Sequence, residues 1–374
     1  MNLFDVYPLF DITPSHAKDV WVYDVEGNKY LDLYGGHAVI SIGHNHPQFI
    51  DALKHQLDQL MFYSNSIINH LQIDYAHALG EISDLNDYQL FLCNSGAEAV
   101  ENALKLASFH TNKQRVLSFS HGFHGRTSAA VAVSDYEAII SPLNKQHLVS
   151  KIALEDHEGL ENAFKSKDIA AVIVEPIQGV GGLDQVSGSF LEHVEVLCRK
   201  HNSCLIVDEI QSGCGRTGKY FAFQHHHVTP DLITVAKGIG NGYPLAGVLV
   251  HQKIKAQYGL LGTTFGGNHV ACQAGISVIE VMQKQKIRAS IPNLEQHFKE
   301  RASKLSSIKQ VKGKGLMLGL EFDAEISTIR KKLLYDFKIF TGGSANKHLL
   351  RLLPPLTIQK QHIDQLFNAL EKLT

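Results

Sequence analysis

Lys237 has the setting in this chain that most invites chemistry. It closes the apolar, β-branched run Leu232-Ile233-Thr234-Val235-Ala236 and is followed by glycines at 238, 240 and 242. That pattern reads as one buried strand delivering an amine at its carboxyl end. An amine held against apolar walls has its pKa lowered and can attack a carbonyl. The competing reading is a solvated lysine after an edge strand, the ordinary fate of lysines. Upstream, Cys204-Leu205-Ile206-Val207-Asp208-Glu209-Ile210-Gln211 repeats the pattern with an acid in place of the amine. Ligands of open α/β sheets bind beyond the carboxyl ends of strands, so Asp208 and Lys237 converge if their strands lie close together.

A carboxylate facing such a lysine is the pairing that pyridoxal phosphate demands. The lysine carries the aldehyde, and the acid keeps the pyridine nitrogen protonated so that the ring accepts electrons. On this reading Asp208 partners the ring nitrogen and Gln211 reaches the ring hydroxyl, while the structural alternative for Asp208 is a helix N-cap. Phe91-Leu92-Cys93-Asn94-Ser95-Gly96-Ala97 joins a strand to a helix whose apolar residues Ala97, Val100, Leu104 and Ala107 fall at helical spacing. Small residues at a positive helix end let backbone N–H groups approach an anion, which assigns Ser95, Gly96 and Ala97 to the phosphate. The motif alone does not separate this from a plain turn with a serine N-cap.

Val207-Asp208-Glu209-Ile210-Gln211-Ser212-Gly213, Gly215-Arg216-Thr217-Gly218, Pro230-Asp231 and Ala236-Lys237-Gly238 together resemble the signature of class III pyridoxal-phosphate aminotransferases. The resemblance runs over almost the whole chain. It is closest to the acetylornithine and succinylornithine group, then to ornithine aminotransferases. It implies an α/β protein of fold type I, with a large domain built on a mostly parallel sheet flanked by helices and a smaller α+β domain. The implied division is 1–48 as an arm packing with the small domain, 49–268 as the cofactor-binding domain and 269–374 as the small domain. The alternating segment from Asp19 to Leu33, interrupted at Glu26-Gly27-Asn28, independently carries a hairpin signal.

The resemblance also implies roles for single residues. In His121-Gly122-Phe123-His124-Gly125-Arg126-Thr127, Phe123 stacks on the pyridine ring and Arg126 grips a substrate carboxylate through two parallel hydrogen bonds. Without the rest of the pattern, a core phenylalanine and a surface arginine are the default. In Leu261-Gly262-Thr263-Thr264-Phe265, Thr264 reaches the phosphate in the other subunit of a homodimer and Thr263 touches substrate. Arg351 matches a second carboxylate-binding arginine. Here the chain departs from its relatives: many carry a glutamate after the Gln-Gly pair, where it neutralises that arginine, but Gln178-Gly179 is followed by Val180. Arg351, lacking its usual partner, is therefore expected to be more available to a second carboxylate and to favour a succinylated amine over an acetylated one.

The implied reaction moves the terminal amino group of N-acetyl- or N-succinylornithine to 2-oxoglutarate, giving a semialdehyde and glutamate, in arginine biosynthesis. Ornithine, 4-aminobutyrate and other ω-amines are alternative donors, since pockets for skeletons of similar length differ little. A non-catalytic cofactor-binding protein is the alternative of another class. Lys237, Asp208 and Arg126 together speak against it, because a binder needs neither a transferable proton nor a substrate clamp.

Composition bounds these readings. At 374 residues the chain exceeds what one core usually serves, which predicts two domains. The formal charge is 35 − 37 = −2 without long charge runs, so no nucleic acid or anionic membrane is expected as partner. Cys93, Cys198, Cys204, Cys214 and Cys272 make an odd count without CxxC spacing, which reads as reduced and cytoplasmic. Residues 1–10 lack a basic and an apolar signal region, and nowhere do ~20 apolar residues run together. His44 and His46, and His225-His226-His227, lack further ligands at metal spacing and read as loop or cap residues, so no metal is expected. Gly313, Gly315 and Gly319 do not form a dinucleotide fingerprint, and no GxSxG elbow occurs.

Overall fold

The apolar runs at the centre of the chain align in one seven-stranded sheet. A computed structural model describes residues 1–373. The strand order is Tyr88–Cys93, Ala246–His251, Leu232–Val235, Cys204–Asp208, Ile169–Val174, Arg115–Phe119, Val149–Ile152. Ala246–His251 runs against both of its neighbours, and the other six strands point the same way. Every residue of Ile169–Val174 and Cys204–Asp208 is buried, as in a sheet covered on both faces. Alternation along those strands explains how. Val172, Val174 and Leu205 pack with Phe190, Leu191 and Val194 of the Gly188–Lys200 helix, whereas Ile173 and Ile206 pack with Val100, Ala103 and Leu104 of the Gly96–Thr111 helix.

Two smaller sheets complete the molecule. The expected hairpin forms between Trp21–Asp24 and Lys29–Asp32, with Gly27 at φ 83 in the turn, and its sheet also takes in Pro14–Lys18 and Ile339–Phe340. The Asp24 carboxylate holds the turn by accepting the N–H groups of Glu26 and Asn28 and the hydroxyl of Tyr30. Ile308–Lys314, Met317–Phe322 and Leu349–Leu352 form an antiparallel sheet. All five cysteines are buried and free. Among the described residues no helix is long and apolar enough to cross a membrane.

Two buried side chains tie these pieces to the large sheet. Arg216 donates to the carbonyls of Leu316 and Pro354, joining the loop after the Cys204–Asp208 strand to the C-terminal segments. Asn241, four residues beyond Lys237, accepts the N–H groups of Ser41 and Ile42 at 2.8 and 3.1 Å and donates to the Gly43 carbonyl. Its left-handed φ of 45 is one that asparagine tolerates. Asn241→Ala strands two buried N–H groups and a carbonyl, each costing about 1–3 kcal/mol if unsatisfied. Urea unfolding is expected to register a loss of about 2–4 kcal/mol, and an unchanged midpoint would refute the clamp.

Candidate active site

Because six strands share one direction, their carboxyl ends bring distant residues to the same edge of the sheet. Asp208 is the last residue of its strand and sits in register with Thr234, three residues before Lys237. Glu175 follows Ile169–Val174, Phe123 follows Arg115–Phe119, and Ser95 follows Tyr88–Cys93. A cavity of about 170 Å³ opens there, lined by Gly96, Ala97, Phe123, His124, Gly125, Glu175, Val180, Asp208, Ile210, Gln211 and Lys237. The structure thus brings together the amine and the acid singled out from the sequence.

Lys237 adopts a left-handed backbone, φ 52, and no hydrogen bond or ion pair engages its amine among the described residues. Burial lowers its pKa below the ordinary lysine range. Arg351 and Arg216 push the same way, and the carboxylates of Asp208 and Glu175 oppose them. Asp208 makes no ion pair with that amine, and its oxygens are engaged elsewhere. Oδ2 lies 2.7 Å from His124 Nδ1, while Oδ1 accepts the Thr234 hydroxyl at 3.0 Å and the Ile210 N–H at 3.1 Å. That last contact is a local turn bond; no helix begins at Asp208, so the alternative of a helix N-cap does not hold. Burial alone would lower the pKa of His124, but the hydrogen bond and charge of Asp208 outweigh it and raise the value. Glu175, whose pKa burial raises, accepts the N–H groups of Phe123 and Gly179 and so ties two loops together.

Ser95 is the N-cap of Gly96–Thr111, its hydroxyl accepting the Glu98 N–H. The N–H groups of Gly96 and Ala97 remain at the open helix end beside the cavity, where an anion is favoured. A Cβ at Gly96 would lie 2.9 Å from the Ile210 side chain, which would have to shift to admit it. Gln211 lines the cavity and links two other groups, donating to the His37 carbonyl and accepting from Arg351. Arg126 is exposed, its guanidinium 6.0 Å from the Phe123 ring. Thr263 accepts the Gly266 N–H and lies near Asn94, whereas Thr264 is exposed; neither lines the cavity. Arg351 is 4% exposed and hydrogen-bonded to Gly179, Gln211 and Tyr34. Outside the cavity, His44 bonds Asp32 and His225 lies 3.2 Å from Thr217.

An unpaired amine of lowered pKa, a buried carboxylate, an aromatic side chain and an open helix N-terminus around one cavity are the donor set that a phosphorylated aromatic aldehyde requires. His124, Glu175 and Tyr34 were not foreseen as parts of it. For His124 a signal did exist: a histidine just past one strand end, when a neighbouring strand ends on an acid.

Residues 5–374 match the family model described as aminotransferase class-III. The chain is 38% identical to the acetylornithine aminotransferase of Methanocaldococcus jannaschii, covering 98% of this chain and 94% of that one. It is 37% identical to the acetylornithine aminotransferase of Bacillus subtilis, covering 100% and 96%. Its structure is similar to an ornithine aminotransferase from Toxoplasma gondii with pyridoxal phosphate at partial occupancy, at a TM-score of 0.89, 29% identity and coverage of 98% and 90%.

The His124–Asp208 contact gives a pH prediction. A histidine pKa raised above 6.5 on folding contributes stability that is complete below the unfolded value and is lost as pH rises through the folded one. In Asp208→Asn the burial of His124 is left without its main opposing charge, so its pKa is expected to drop. The His124 NMR resonance, identified by its loss in His124→Gln, should titrate above pH 6.5 in the parent and below it in Asp208→Asn. A midpoint unmoved by the substitution would exclude the coupling.

Proposed function

Since this chain belongs to the class III aminotransferases, we propose that it binds pyridoxal 5'-phosphate and transfers the terminal amino group of an N-acylated ornithine to 2-oxoglutarate, serving arginine biosynthesis in the cytoplasm. The observation that carries this reading is the meeting of Lys237 and Asp208 at one cavity with the amine unpaired. Pyridoxal phosphate, when bound, supplies a carbonyl that accepts the amino group and a ring that draws electrons from the substrate carbon. Lys237 anchors it, Asp208 holds a proton at the ring nitrogen, and Gln211 faces the ring hydroxyl. Phe123 packs the ring, and Ser95, Gly96 and Ala97 hold the phosphate. Once the substrate amine had taken its place, the released Lys237 Nζ would take the proton from the amine-bearing carbon of the substrate, for which its lowered pKa suits it. Arg126 binds a substrate carboxylate.

Residues 49–268 form the cofactor domain in this reading and 269–374 the small domain. The arm of residues 1–48 joins the latter, supported by the pairing of Lys29–Asp32 with Ile339–Phe340. The working unit is a homodimer in which Thr264 reaches the phosphate of the partner subunit's site and Thr263 meets substrate. Supporting this, Met61, Tyr63, Ile68, Tyr258 and Phe265 are large apolar side chains left exposed on and around the loop that carries Thr264.

The names of the relatives support an acylated donor, and so does charge. A free α-ammonium would be repelled near Arg351, which no carboxylate neutralises among the described residues. That same unneutralised arginine favours a second reading, in which the acyl group itself carries a carboxylate, as in succinylornithine. Acetylornithine, succinylornithine, ornithine and 4-aminobutyrate, each assayed with 2-oxoglutarate, separate these possibilities. The two acylated donors are expected to exceed the others in kcat/KM by about tenfold or more, with succinylornithine ahead. A clear preference for acetylornithine would remove the succinyl reading, and ornithine or 4-aminobutyrate as best donor would overturn the acylated class. No turnover and no amine-dependent change in the cofactor's visible spectrum would mark a non-catalytic binder.

A further inference from the structure

Arg351 leaves the cavity with a problem of charge. Its guanidinium is buried, and every acceptor it has found is neutral: the Gly179 carbonyl and the Gln211 amide oxygen on Nη1, and the Tyr34 hydroxyl on Nη2 at 2.7 Å. Its Nε is buried with no partner. Arg330, which donates to the Thr341 carbonyl, adds a second positive charge close to Tyr34 instead of a negative one. Nε and Nη2 are the two adjacent donors that take a carboxylate side-on. One of them is therefore vacant, and the other is held only by a phenol.

The direction of each bond follows from chemistry. A guanidinium can only donate, so the Tyr34 oxygen accepts from Nη2. The Tyr34 proton is then free for His37 Nδ1, 2.7 Å away, which accepts it as the neutral imidazole. His37 is exposed at the surface, yet partial burial, with Arg351 and Lys237 nearby, lowers its pKa and agrees with that form. The Tyr34 ring is fixed in place as well. It lies against Gly342, where a Cβ would collide with the ring, and Gly342 exchanges backbone hydrogen bonds with Arg351. The phenol oxygen thus presents lone pairs, not a proton, to the fork that a carboxylate would occupy.

We infer that Tyr34, held by His37, is a neutral cap on Arg351 that an incoming second carboxylate must displace, making Tyr34 a positioning residue that sets how strongly this site selects dicarboxylates. The inference rests on the aminotransferase reading, in which one substrate is a dicarboxylate. A protein whose buried arginine faced a carboxylate would present such a substrate with a charge to expel. Here a hydrogen bond is all that stands in the way, so the site accepts one-carboxylate and two-carboxylate ligands with a smaller rearrangement.

Titration calorimetry on the holoenzyme with glutarate and with butyrate, which has the same carbon count less one carboxyl carbon, isolates the second carboxylate. Arg351→Lys is expected to weaken glutarate by about tenfold or more, and Tyr34→Phe to tighten it by about five- to tenfold, the scale of one ordinary net hydrogen bond. Butyrate should stay within about twofold in both variants, since the phenylalanine keeps the ring against Gly342 and the first carboxylate lies elsewhere. If Arg351→Lys weakens glutarate but Tyr34→Phe does not tighten it, the cap is overturned while the role of Arg351 stands. If Arg351→Lys leaves glutarate unchanged, the second carboxylate binds elsewhere and both ideas fall. Equal loss of glutarate and butyrate in Tyr34→Phe would reduce Tyr34 to a structural support and also overturn the cap.

Discussion

A lysine that must attack a carbonyl cannot be allowed to form a salt bridge with the acid beside it, and the site depends on this separation. Lys237 and Asp208 share a cavity, yet the oxygens of Asp208 are taken by His124, Thr234 and the Ile210 N–H. An ion pair between the two would raise the amine pKa and hold the amine in place. Satisfying the acid from behind keeps its charge near the amine without fixing the amine's position. Burial then acts on Lys237 in the direction that nucleophilic chemistry needs.

The fold supplies this arrangement through direction of strands more than through any local motif. Five of the six co-directional strands deliver an amine, two acids, an aromatic side chain and a helix N-terminus to one cavity. The buried tethers of Asn241 and Arg216 bring in segments from both ends of the chain, and with them Tyr34 and Arg351. The two clusters differ in character. Both oxygens of Asp208 are engaged, whereas the guanidinium of Arg351 keeps a buried donor without a partner.

Much of this was legible in the residues themselves, and the reason is that buried strands write long apolar runs that end abruptly on charge. Leu232–Val235 before Lys237 and Cys204–Val207 before Asp208 are such runs, and they located both principal groups. The helix at Gly96 was legible from its spacing and its cap. Tyr34 was not, because its significance lies in a contact across 317 positions, which no local pattern records, and His124, whose partner is 84 positions away, left only its place just past a strand end as a signal. The reversed course of Ala246–His251 was equally hidden, since an antiparallel strand buried on both faces has the same composition as a parallel one. Val180 was legible as an absent charge, but what Arg351 bonds in its place emerged only from the fold.

Borohydride reduction of the holoenzyme followed by peptide mapping tests the central claim most directly, because it reports which amine holds the cofactor regardless of the substrate used. An unpaired Lys237 amine of lowered pKa predicts a pyridoxyl label on Lys237 alone. A label on any other lysine, or no covalent label on a protein that retains bound cofactor, would contradict the account.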